Sequence, residues 1–143
     1  MEIYLGADIL SKSKIKLTLR YSVQKQRLIV VVHNIEYFNN FKDLHFDEPK
    51  GIYVKLYLLP ERHTDTKRKT QVIKTTKNPV FDETFEFVIS QDELNQKHLE
   101  VSVCEERVIK NEDLEKVIID LEKLGLVLPY TKLFTVYKKS HES

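Results

Sequence analysis

The 143 residues carry 23 Lys+Arg against 22 Asp+Glu, a net charge of +1, with 41% hydrophobic, 10% aromatic and 31% charged residues. That length fits one domain able to bury about two-thirds of its unfolded surface, and the apolar content argues against disorder. The longest apolar run, Leu28 to Val32, is far short of the roughly 20 residues that cross a bilayer. No charged-then-apolar leader precedes it, and the single cysteine, Cys104, excludes an internal disulfide and suits a reducing compartment. The expectation is a cytoplasmic domain.

Strand signals dominate in chain order. Residues 15–21 alternate apolar and polar, 28–33 form a β-branched run, and Tyr53, Lys55 and Tyr57 oppose Val54, Leu56 and Leu58 over residues 52–59, the period of two of a half-buried strand. Further strands are predicted over 69–75, 81–88, 98–103, 116–119 and 133–137, eight in all. Asn78-Pro79 supplies the turn before the fifth, where Phe81, Phe85 and Phe87 share a face. Ser90 and Glu93 have the spacing of a capping box, and residues 120–126 suggest a second short helix. Eight short strands with two connecting helices predict an all-β, antiparallel Greek-key sandwich over residues 14–138, with an N-terminal extension (1–13) and a C-terminal tail (139–143).

Two segments fall outside this pattern. Residues 34–51 make a long loop containing Phe38, Phe41 and Phe46, and residues 105–115 are rich in acids. Loops of such length are usually functional. The order of strands brings both to one end of the sandwich. The three phenylalanines have two readings, insertion into a bilayer or folding back to cap the core.

The charge is unevenly placed. Arg62, Lys67, Arg68, Lys69, Lys74 and Lys77 face only Glu61 and Asp65 within one stretch of an otherwise neutral chain. A Lys-rich edge can serve as protection against strand pairing or as an anion-binding surface, and composition does not choose between them. Other chemistry finds no support. The five histidines lack metal-ligand spacing, three glycines make no phosphate loop, and Cys104 reads as a small hydrophobe at a strand end, so no catalytic role is expected. A near-neutral domain also lacks the broad positive field of a nucleic-acid binder.

The residues Tyr53-Val-Lys-x-Tyr-Leu-Leu-Pro60, Lys69-Thr70 and Thr76-x-Asn-Pro-Val-Phe-x-Glu-Thr-Phe-x-Phe87 resemble the middle strands of a C2 domain of synaptotagmin-like topology. The resemblance runs in register over about residues 14–137 and is greatest to the last C2 domain of extended synaptotagmins. Class II phosphoinositide 3-kinase C2 domains share a similar Leu-Leu-Pro and Lys-Arg-Lys-Thr region.

The resemblance implies two sites. In the calcium site, the later loop-one aspartate falls on Gly51, and the three loop-three positions fall on Glu105, Arg107 and Asp113. Calcium needs six to eight oxygens, so this degenerate set implies no calcium cofactor unless Asp43, Asp47 and Glu48 of the lengthened first loop compensate. In the second site, Tyr53, Lys55, Lys67 and Lys69 fall where such domains hold phosphoinositide head groups, with Arg68, Lys74 and Lys77 widening the positive footprint. Cys104 stands where the family often has an aromatic wall. The implied function is calcium-independent targeting to anionic phospholipid at the cytosolic face of a membrane, in trafficking or at a contact site. A protein-interaction domain using loops 34–51 and 105–115 is the alternative.

Overall fold

The computed structural model describes residues 13–36, 38, 51–74, 77–107, 110–124 and 129–138. The strands are β1 (Lys14–Ser22), β2 (Arg27–Glu36), β3 (Gly51–Leu59), β4 (Arg68–Lys69), β5 (Ile73–Lys74), β6 (Val80–Val88), β7 (His98–Glu105), β8 (Glu112–Asp120), β9 (Tyr130–Thr135) and β10 (Tyr137–Lys138). They form two antiparallel sheets. One has the order β6-β2-β1-β9, and the other β10-β8-β7-β3-β4, with β5 also paired to β3. The non-sequential neighbours β6 beside β2 and β7 beside β3 are the Greek-key connections the sequence predicts.

Alternation determines the core. Ile15, Leu17, Leu19, Leu28, Val30 and Val32 of one sheet are fully buried, as are Val54, Leu56, Leu99, Val101 and Val103 of the other. The hydrophobic gain of about 25 cal/mol per Å² of apolar surface fixes which face turns inward.

All eight predicted strands are present, and two are each broken in two for physical reasons. The expected strand 69–75 divides at Thr70, whose N–H donates to the Val54 carbonyl (2.9 Å) while its Oγ1 accepts from the Val54 N–H (2.9 Å). Four residue steps from Lys69 to Ile73 then oppose three from Lys55 to Ile52, a bulge of one residue. The last strand divides because it changes sheets: β9 pairs with β1 and β10 with β8. Val136, the hinge between them, is buried and donates its N–H to the Ser13 carbonyl at 3.1 Å.

Other boundaries differ from expectation. β8 begins at Glu112, not 116, so part of the expected acidic loop is strand, accommodated by a register shift at Val103/Cys104. The connector α1 (Gln91–Leu94) has its capping box, with the Glu93 N–H bonded to Ser90 Oγ (3.2 Å) and the Ser90 N–H to Glu93 Oε1 (3.4 Å). The helix expected over 120–126 is a 3-10 turn, Leu121–Leu124, started by Asp120 Oδ1 accepting from the Glu122 N–H. Among the described residues no helix is long and apolar enough to cross a membrane.

Candidate functional site: the outer face of β3, β7 and β8

β3 lies between β4 and β7, so its outward residues Tyr53, Lys55 and Tyr57 share a face with Lys69 on β4, with Glu100, Ser102 and Cys104 on β7, and with Asp113 and Lys116 on β8. The tyrosines are buried although they point outward. Cations cover them: Lys69 Nζ sits 5.0 Å above the Tyr53 ring, and the Arg62 guanidinium 4.2 Å from the Tyr57 ring.

Carboxylates occupy the middle of the face. Lys55 Nζ donates to Asp113 Oδ1 at 3.0 Å. Glu100, only 6% exposed at its side chain, receives Arg62 Nε at 2.9 Å and Lys116 Nζ at 2.8 Å. Burial alone would raise the Asp113 pKa, but the hydrogen bonds from Lys55 and Cys104 hold it below its ordinary value. For Glu100, burial is likewise outweighed by hydrogen bonds from Lys116 and Arg62, and its pKa is lowered. Burial opposes the Lys55 charge too, yet the bond to Asp113 leaves its pKa raised. Cys104 Sγ lies 3.2 Å from Asp113 Oδ1, and burial followed by that charge pushes the thiol up to about 12.

Lys67, Lys69, Lys74 and Lys77 are exposed, and no carboxylate among the described residues pairs with any of them. Arg68 differs from the role the resemblance implied. Its guanidinium donates to the carbonyls of Glu86 (3.0 and 3.3 Å), Asp65 (3.0 Å) and Lys67 (3.1 Å), and it stacks on Phe87 at 4.6 Å. Strand alternation turns it from Lys69 toward β6, where it joins the two sheets.

At the loop end, the Gly51 carbonyl accepts the Glu106 N–H (3.0 Å) and the Lys77 carbonyl accepts the Phe38 N–H (3.0 Å), so both loops leave from one end. A Cβ on Gly51 would lie 2.1 Å from the Ile73 carbonyl oxygen, which leaves no room for an aspartate. Glu105 is buried opposite Ile52. Arg107 bonds to Glu112 Oε1 at 2.9 Å and donates its N–H to Asn111 Oδ1 at 2.9 Å, while Asn111 Nδ2 donates to the Tyr53 hydroxyl at 3.2 Å. Asp113 is turned to Lys55, and among the described residues no group of three or more His, Cys, Asp or Glu is placed to hold a metal ion. Phe38 is 2% exposed and packs into the core, as the capping reading expects. Phe41, Phe46, Asp43, Asp47 and Glu48 lie outside the described residues.

Arg62, which the sequence places in the positive stretch, joins this face beyond the residues the resemblance implies, as do Lys116, Glu100 and the pairing of Asp113 with Lys55. The alternation Leu99-Glu100-Val101-Ser102-Val103 places Glu100 outward and was the available signal.

Comparisons with known proteins agree with this architecture. The family model "C2 domain" matches residues 26–136. The chain is 36% identical over 124 residues to extended synaptotagmin-2 of Mus musculus, covering 85% of this chain and 14% of that protein. It is 33% identical over 134 residues to extended synaptotagmin-3 of Homo sapiens, covering 90% and 15%. The chain thus spans about one-seventh of these relatives. Among solved structures, the third C2 domain of the KIAA1228 protein superposes with a TM-score of 0.78 at 33% identity, covering 100% of this chain and 98% of that one. A C2 domain of RIM from Drosophila gives 0.73 at 25% identity, covering 87% and 98%. Greek-key sandwich, matched residues and relatives together assign the chain to the C2 domain family, and it is related to the C2 domains of extended synaptotagmins.

Proposed function

We propose that this C2 domain is a non-catalytic, calcium-independent module that brings its parent protein to the cytosolic face of a membrane by binding anionic phospholipid along β3, β4 and β5. One observation carries the reading: Lys69 and Lys74 project exposed from the strands beside β3, and Lys67 is exposed just before β4, all without a carboxylate partner among the described residues. Each lysine near an anionic surface contributes about 1 kcal/mol, so the binding is weak per domain and sensitive to salt. Calcium independence is supported by the closure around Gly51, by the Arg107–Glu112 pair and by the commitment of Asp113 to Lys55. The relatedness to extended synaptotagmins supports a place in membrane trafficking or at a contact site.

The test is sedimentation with phosphatidylcholine vesicles, with and without phosphatidylserine, in calcium or chelator. The expected result is binding that needs the anionic lipid, ignores calcium and is lost in Lys67→Ala/Lys69→Ala. Binding that requires calcium, or that survives the double substitution undiminished, overturns the proposal.

A further inference from the structure

We infer that Asp113 and Glu100 determine which anions this face accepts: charge dispersed over a phospholipid surface, and not several phosphates clustered on one head group. The inference rests on the lipid-binding reading above and specifies its ligand class.

A clustered polyphosphate needs several cations converging on one point. The cations at the centre of the face, Lys55, Arg62 and Lys116, are each within 3.0 Å of a carboxylate oxygen of the protein itself. Both acids are well placed to keep their charge, since Asp113 also accepts from Cys104 and Glu100 holds two cations at once. A bisphosphate arriving there meets two fixed negative charges and must displace them to gain a lysine. Ser102 reinforces the point. It pairs across the strands with Lys55 on one side and Lys116 on the other, and its Oγ is buried with no hydrogen-bond partner among the described residues, so the donor between the two lysines is closed to an incoming phosphate.

Two of the exposed lysines that have no carboxylate partner among the described residues are spread out instead, while Lys67 lies two residues before Lys69. Lys69 pairs with Lys55 and Lys74 with Gly51. Four residue steps of β3 therefore separate them, about 13 Å at strand rise. Such spacing suits separate lipids.

The experiment compares phosphatidylcholine vesicles carrying phosphatidylserine with vesicles carrying phosphatidylinositol bisphosphate at equal surface charge, and measures inositol hexakisphosphate binding by calorimetry. The wild-type chain is expected to bind the two vesicle types within about twofold of each other. Asp113→Asn and Glu100→Gln, each of which keeps an acceptor oxygen for its cation, should tighten bisphosphate vesicles and inositol hexakisphosphate about fivefold per released cation, with a smaller change on phosphatidylserine. Two variants at different strands guard against loss of fold in either. A wild-type preference for the bisphosphate above tenfold, or unchanged ratios in both folded variants, overturns the inference. If Lys67→Ala/Lys69→Ala leaves phosphatidylserine binding intact, the lipid reading fails. The hexakisphosphate arm still decides the role of Asp113 and Glu100, since absent or unaltered binding there counts against it.

Discussion

Lys55 on β3 and Asp113 on β8 reach across the intervening β7 to meet at 3.0 Å, with Cys104 completing the contact at 3.2 Å. Glu100 makes a similar link between Arg62 and Lys116. Both carboxyl groups are held below their ordinary values of 3.8 and 4.5. A depressed native pKa contributes stability that is full above the unfolded value and is lost as pH falls through the native one. Urea midpoints should therefore hold steady near neutrality and decline below about pH 4.5. The decline should be shallower in Asp113→Asn and Glu100→Gln. Lys55 carries the opposite sign: its pKa is raised, so its contribution persists below 10.5 and fades only in strong alkali. An equal acid slope in wild type and both variants would show that these pairs do not contribute.

Gly51→Asp tests whether the loop end can be returned to the family pattern. The added Cβ would lie 2.1 Å from the Ile73 carbonyl oxygen and 2.8 Å from Val72 Cγ1, so β5 must move away from β3. Overpacking of this kind costs about 1–3 kcal/mol. The variant should unfold at lower urea, and calcium should not restore it. A calcium-dependent rise in its melting temperature would instead mean that the loop re-forms a cage.

What could be read in advance was whatever depends on neighbours in sequence. The alternations at Leu17, Thr18 and Leu19, and at Val54, Lys55 and Leu56, decide inward from outward locally, and so the sandwich and the basic strand were legible. Features set by partners far along the chain were not. The break at Thr70 depends on Val54, the crossing at Val136 on Ser13, and the pairing of Lys55 on a residue 58 positions away. Arg68 shows the consequence for the site. In sequence it is one more cation between two lysines, and only the position of the Glu86 carbonyl on β6 directs it elsewhere.

Phe38→Ala separates capping from membrane insertion. The ring is 2% exposed in the core cluster, and truncating a buried phenylalanine costs about 3–5 kcal/mol. Urea unfolding should show that loss, while vesicle binding of the folded fraction is unchanged. Reduced vesicle binding at undiminished stability would assign the side chain to the bilayer instead.

Arg68→Ala and Lys69→Ala, neighbours in sequence, should have opposite phenotypes. Arg68 donates to three main-chain carbonyls and stacks on Phe87, which is buried. Hydrogen bonds from a charged donor contribute about 1.5–3 kcal/mol when lost from protected sites, and less at exposed ones. The Arg68 variant should therefore lose on the order of 1–2 kcal/mol of stability and keep most of its affinity for phosphatidylserine vesicles. Among the described residues, Lys69 has the Tyr53 ring beneath it and no carboxylate partner. Its removal should leave the urea midpoint nearly unchanged, weaken vesicle binding about fivefold and flatten the salt dependence. Equal effects of the two substitutions on binding would mean that the face reads total charge and not the outward side of β4.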